Sequence, residues 1–109
     1  MSLDINELSQ TMLNAFKGQL QANWPQIKHY AEAEAKKLAE NLVLIEKLHL
    51  LGDMSDEQAA LQHKLQKNAA RVVLISVQGM SLLMAEQAVN AALDAVKTSV
   101  NTALNFTLL

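Results

Sequence analysis

Leu51-Gly52-Asp53-Met54-Ser55-Asp56-Glu57-Gln58 is the clearest punctuation in this chain. Gly52 suits the left-handed residue that closes a helix, because it has no Cβ to clash in that conformation. Ser55 and Gln58 have capping-box spacing, in which each side chain satisfies the other residue's backbone N–H. Asp56 and Glu57 place negative charge where the helix dipole favours it. One helix is therefore expected to end at Leu51 and another to start at Ser55.

Upstream of this turn, apolar residues recur at Ile5, Leu8, Met12, Phe16, Leu20, Trp24, Ile27, Ala31, Ala35, Leu38, Leu42 and Ile45. Steps of three and four mark one face of a helix, and Asp4 with Glu7 supplies an N-terminal cap. Downstream, the stripe runs Leu61, Leu65, Asn68, Val72, Ile75, Gly79, Leu82, Glu86, Val89, Leu93, Val96, Val100 and Ala103. Its alternation of four and three is the repeat of a left-handed supercoil. The expected fold is all-α. A helix over about 4–51, a turn at 52–54 and a helix over about 55–106 form a long antiparallel αα-hairpin within one helical domain, 1–109. Composition agrees: Gly 3 and Pro 1 are too few for a loop-rich chain, and aromatics at 4% leave the packing to aliphatic residues and Ala.

Pro25 and Gly79 each interrupt a stripe. Pro25 removes a backbone donor and disfavours helical geometry at Trp24, so a kink is expected there. Folding the hairpin about its turn sets residue i roughly opposite residue 107 − i, which brings Trp24 to the level of Gly79. The alternative is a break in both helices, giving four shorter helices in a compact monomeric bundle. That requires reversals at Asn23-Trp24-Pro25 and Gln78-Gly79-Met80, where turn chemistry is weak. The kinked hairpin is the preferred expectation.

From Val72 to Leu109 the formal charges are Glu86, Asp94 and Lys97 alone. A helix solvated on one side needs a charged outer face. Val73, Leu74, Val77, Met80, Leu83 and Met84 lie off the main stripe, where one hairpin partner does not cover them. A homodimer or higher oligomer is expected, with Val73, Leu74, Val77, Met80 and Leu83 in its interface. Asn68 and Glu86 interrupt the second stripe and read as polar groups that fix register, in preference to ligands.

The residue pattern closest to chemistry is Glu46-Lys47-Leu48-His49. A Glu-x-x-His on a helix, both residues aimed inward, resembles the ferritin-like di-iron carboxylate class in that one motif. The resemblance implies a metal site that two chains would complete. The hairpin sets Gln58 and Leu61 opposite the motif, with Glu57 at the edge and His63 pointing outward, so the carboxylate set is incomplete. The expectation is a structural role for Glu46 and His49, with no metal, cofactor or catalytic residue. His29 and Tyr30 read as surface residues, and Met54, Met80 and Met84 as gap fillers before they read as an adaptable binding face.

Lys+Arg 9 against Asp+Glu 11 gives a net charge of −2, without the basic face that nucleic acid demands. Cys 0 removes disulfide and thiol chemistry. The uncharged run Val72–Ala85 falls short of the ~20 residues of a membrane span, and the N-terminus lacks the pattern of a signal peptide. These readings converge on a non-enzymatic, cytoplasmic, self-associating scaffold, adaptor or assembly component, with another protein partner possible. The alternatives are the ferritin-like metal site and a secreted or membrane-active helical protein. Small secreted hairpins of the WXG type have this length, but their turn motif is missing here.

Overall fold

The computed structural model describes residues 3–21, 24–78 and 80–109, with the side chains of Val77 and Gln78 outside that description. Among the described residues the chain forms four helices in place of two: α1 (Ile5–Gln19), α2 (Trp24–Leu50), α3 (Asp56–Gln78) and α4 (Leu82–Leu104). α1 packs on α2 and α4, α2 on α3, and α3 on α4, with α2 and α4 also touching across the centre. This is a four-helix bundle closed within one chain. The 27 residues of α2 span about 40 Å at 1.5 Å each, which accounts for the 42 Å long axis. The two-helix hairpin that needs oligomerisation to complete its core is thereby corrected.

Both breaks have local causes. Pro25 is the second residue of α2. In a first turn its missing N–H removes no intrahelical bond and its fixed φ suits the helix, so it starts α2 and kinks nothing. The preceding helix closes at Leu20, whose N–H donates to the Phe16 carbonyl at 2.9 Å. At the second break Ser81 is extended and its Oγ accepts from the Met84 N–H at 3.2 Å, capping α4. Gly79 lies outside the described residues, and with it the expected packing of Trp24 against it.

The central turn follows its sequence. Gly52 has φ +79°, its N–H donates to the His49 carbonyl at 3.1 Å, and the Asp53 N–H donates to the Leu48 carbonyl at 2.9 Å. These are the two bonds of a Schellman motif. The Ser55 N–H donates to Gln58 Oε1 at 2.8 Å, and the Gln58 N–H donates back to Ser55 Oγ at 3.1 Å. Asp4 caps α1 through the Glu7 N–H at 3.1 Å.

The upstream stripe forms the core as its spacing requires: Leu8, Met12, Phe16, Leu20, Ile27, Ala31, Ala35, Leu38, Leu42 and Ile45 are buried. From α4 come Val89, Leu93, Val96 and Val100, with Ala85, Ala88 and Ala92 beside them. Leu74 and Met80, expected at an interface between chains, are inside this bundle, while Leu83 is exposed and Val73 half-buried; the Val77 side chain is outside the description. The larger correction concerns α3. Leu61, Leu65 and Val72, expected to face inward, are 57%, 56% and 59% exposed. Ala59, His63, Ala70 and Leu74 are buried in their place. At 100° per residue the two sets stand on opposite sides of α3.

Two substitutions test this packing by chemical denaturation. Phe16→Ala, at a fully buried position, should destabilise by about 3–5 kcal/mol. Ser81→Ala should cost about 1 kcal/mol through the lost cap, whereas a continuous helix through residue 81 would be stabilised by the same change.

Candidate functional site

Glu46 and His49 are near neighbours on α2 but serve different ends. Glu46 is buried, and both of its carboxylate oxygens accept from the Leu3 N–H, at 2.9 and 3.2 Å. It anchors the chain ahead of α1 to α2. His49 turns the other way. Its Nε2 lies 2.6 Å from Asp56 Oδ1 on the first residue of α3, and its ring leans on Phe106 with centroids 4.6 Å apart. Gln58, expected opposite His49, is occupied by the Ser55 cap.

Among the described residues no group of three or more His, Cys, Asp or Glu side chains is placed to hold a metal ion. The ferritin-like alternative is corrected by that geometry, since the motif's two side chains bind separate protein groups. Glu34, also buried, is likewise bound within the protein, by Lys37 Nζ at 3.1 Å.

The structure instead gathers polar groups between α3 and α4, around a residue expected to point outward. His63 is 8% exposed and its Nδ1 has no hydrogen-bond partner. Burial, followed by the charge of Lys67, lowers its pKa from 6.5 to about 4. The imidazole therefore stays neutral where a free histidine begins to protonate. His63 lines a cleft of about 520 Å³ with Lys64, Lys67, Asn68 and Arg71 of α3 and with Asn90, Leu93 and Asp94 of α4.

Two hydrogen-bond networks frame this cleft. Arg71 Nη1 donates to Glu86 Oε1 at 2.8 Å and its Nη2 to Asn68 Oδ1 at 2.9 Å. The two polar interruptions of the second stripe are thus joined through one guanidinium. At the other end, Asn105 turns the chain with φ +61°, and Asn101 Oδ1 accepts from the Leu108 and Leu109 N–H groups at 2.9 and 3.0 Å. Leu108 and Leu109 become a lip of the cleft.

Next to the cleft, the outer side of α3 forms a second candidate surface. Leu61, Leu65, Asn68, Val72 and Ile75 keep their supercoil spacing there, with Ile75 and Asn68 half-buried and the other three exposed. A sequence signal for the orientation of α3 did exist: Ala59, His63, Lys67, Ala70 and Leu74 also follow steps of three and four. That stripe is small and polar, and the Leu and Val stripe outweighs it on hydrophobicity. Comparison with protein-family models, curated proteins and solved structures gives no match.

His63 gives the fold a pH dependence of definite sign. Its folded pKa lies below the unfolded value, so as pH falls from 6.5 toward 4 the unfolded chain takes up a proton that the folded one refuses. Stability should be full above pH 6.5 and fall by about 2 kcal/mol from this group between pH 7 and pH 5. Denaturation of wild type and His63→Gln at both pH values isolates the contribution, and equal pH slopes in the two proteins would contradict it.

Proposed function

We propose that this protein is a non-catalytic, cytoplasmic interaction module, a self-contained four-helix bundle that pairs with a second copy through the outer face of α3. The observation that carries this reading is the exposure of Leu61, Leu65 and Val72 in supercoil register along α3. Leu82 and Leu83, at the start of α4, are also 57% and 64% exposed. The five side chains together expose apolar area on the order of 500 Å², near the upper end for a monomer. Two such areas brought together bury on the order of 1,000 Å², the lower limit of a specific interface. Pairing of that size is weak and concentration-dependent.

Charge favours a copy of this chain laid parallel to α3. A parallel seam sets Lys64 and Arg71 of one copy beside the neutral Ala69 and Ser76 of the other. An antiparallel seam would place Lys64 against the partner's Arg71. Asn68 falls at a d position of this repeat, central in the seam, where the amides of two copies can hydrogen-bond to each other. Among the described residues no helix is long and apolar enough to cross a membrane, which suits an occupant that is a protein helix.

Sedimentation equilibrium across micromolar to millimolar protein tests the reading. Wild type should move from monomer to dimer. Leu65→Glu with Val72→Glu should stay monomeric with an unchanged melting midpoint, because neither side chain supports the bundle's interior. A monomeric wild type throughout the range would overturn the pairing, and a collapsed midpoint in the double variant would show that this stripe faces the core.

A further inference from the structure

We propose that Arg71, braced by Glu86, directs the pairing of two copies of this chain: it holds the Asn68 amide so that the α3 faces meet parallel and in register. The inference rests on the pairing of α3 with its copy and adds what orients it. Its basis is a polar network that runs from α4 onto the exposed stripe.

On the stripe Leu61, Leu65, Asn68, Val72 and Ile75, Asn68 is the polar member. Its Oδ1 accepts from Arg71 Nη2 at 2.9 Å, and Arg71 Nη1 donates to Glu86 Oε1 of α4 at 2.8 Å. One planar guanidinium thus meets two acceptors at once, and the ion pair with Glu86 holds it there. A guanidinium only donates, so the oxygen end of the amide must face Arg71. Among the described residues Nδ2 has no acceptor. What remains for another molecule is the pair of Nδ2 donors and one lone pair on Oδ1. That set is self-complementary, which suits a second copy.

In this repeat Leu65 and Val72 are a positions, and Leu61, Asn68 and Ile75 are d positions. A parallel seam puts Asn68 across from Asn68 of the other copy. Nδ2 of one amide then donates to Oδ1 of the other, and the network of each copy continues into its partner. An antiparallel seam sets a layers against d layers, so Asn68 lies across from Leu65 and Leu61 across from Val72. The oriented amide is then covered by an apolar side chain, and a covered polar group without a partner is costly. A parallel slip by one heptad fails in the same way, since it sets Asn68 against Ile75 or Leu61. Holding the amide in advance also lowers the entropy lost on pairing. Arg71 acts through Asn68 and is a positioning residue. Arg71→Lys separates this role from charge: the repulsion of Lys64 in an antiparallel seam stays, and the two-nitrogen fork is lost.

The chain has Cys 0, so introduced cysteines report the seam without interference. Full-length chains carrying Leu61→Cys and chains carrying Val72→Cys, both at exposed positions, are mixed in a glutathione redox buffer, and their disulfides are counted by mass. A parallel seam joins like chains and an antiparallel seam joins unlike ones, because a disulfide needs Cα atoms within about 7 Å. Like disulfides should exceed mixed ones by about tenfold or more. Arg71→Lys should lower that ratio by about three- to tenfold. Glu86→Ala, which removes the brace, should lower it too, whereas charge alone would raise it by leaving Arg71 uncompensated. In an Asn68→Leu background Arg71→Lys should have no effect on the ratio, since no amide is left to hold. A merely structural Arg71 would lower the melting midpoint in Arg71→Lys and leave the ratio where it was, which overturns the proposal. An equal drop in the Asn68→Leu background overturns it as well. If like and mixed disulfides form equally in the otherwise unaltered chain, pairing stands and its orientation by Arg71 falls. If neither kind forms at concentrations up to millimolar, the pairing of α3 and this proposal fall together.

Discussion

Phe16 and Met12 seat α1 in the groove between α2 and α4, and the other helices take their places from that contact. Both side chains are fully buried, and α1 packs on its two neighbours along its whole apolar stripe. Residues of this size each contribute a few kcal/mol when removed from water. Fifteen residues of α1 thus cover an apolar belt on α4 that the charge-poor C-terminal sequence leaves without a polar face. The bundle closes without a second chain. Leu74 and Met80 then need no outside partner, because the chain's own helices surround them.

Closing the ring in this way settles the rotation of α3. The helix touches α2 and α4 but sits diagonally across from α1. Its inner positions are small or polar, Ala59, His63 and Ala70, with Leu74 alone supplying bulk. Small residues allow close approach, and the cost is a histidine kept neutral in the interior. The larger Leu and Val residues are left on the other side. α3 is thereby a helix with two usable faces, one holding the bundle together and one available to another surface, with the cationic edge of the cleft between them.

Much of the architecture was legible in the sequence, and its errors have identifiable physical sources. The capped turn at Leu51–Ser55 and the α1 and α2 core positions follow directly from local chemistry and from steps of three and four. The number of helices does not. Leu20 to Trp24 and Gly79 to Leu82 keep helical spacing across a break, so periodicity ran through both of them. Pro25 breaks a helix interior but suits a helix start, and the stripe around it does not distinguish the two positions; Ser81 caps a helix start that the same unbroken spacing conceals. In α3, hydrophobicity favours the stripe that faces water. For Glu46 and His49 the motif was visible, but the partners that occupy them, the Leu3 N–H and Asp56, lie elsewhere in the chain. His63 became visible as a site only once Lys67 and the α4 wall were placed around it.

The seating of α1 against α4 also has a kinetic meaning. It joins opposite ends of the sequence, while the α2–α3 turn is closed by bonds among near neighbours. Contacts between distant residues form slowly, since the chain must lose loop entropy before they reward it. The topology implies that the α2–α3 hairpin gathers early and α1 docks late. Until it docks, the apolar faces of α1 and α4 are both bare to other molecules in a refolding tube. Aggregation is governed by such transient surfaces. The speed with which α1 finds α4 determines how long they last.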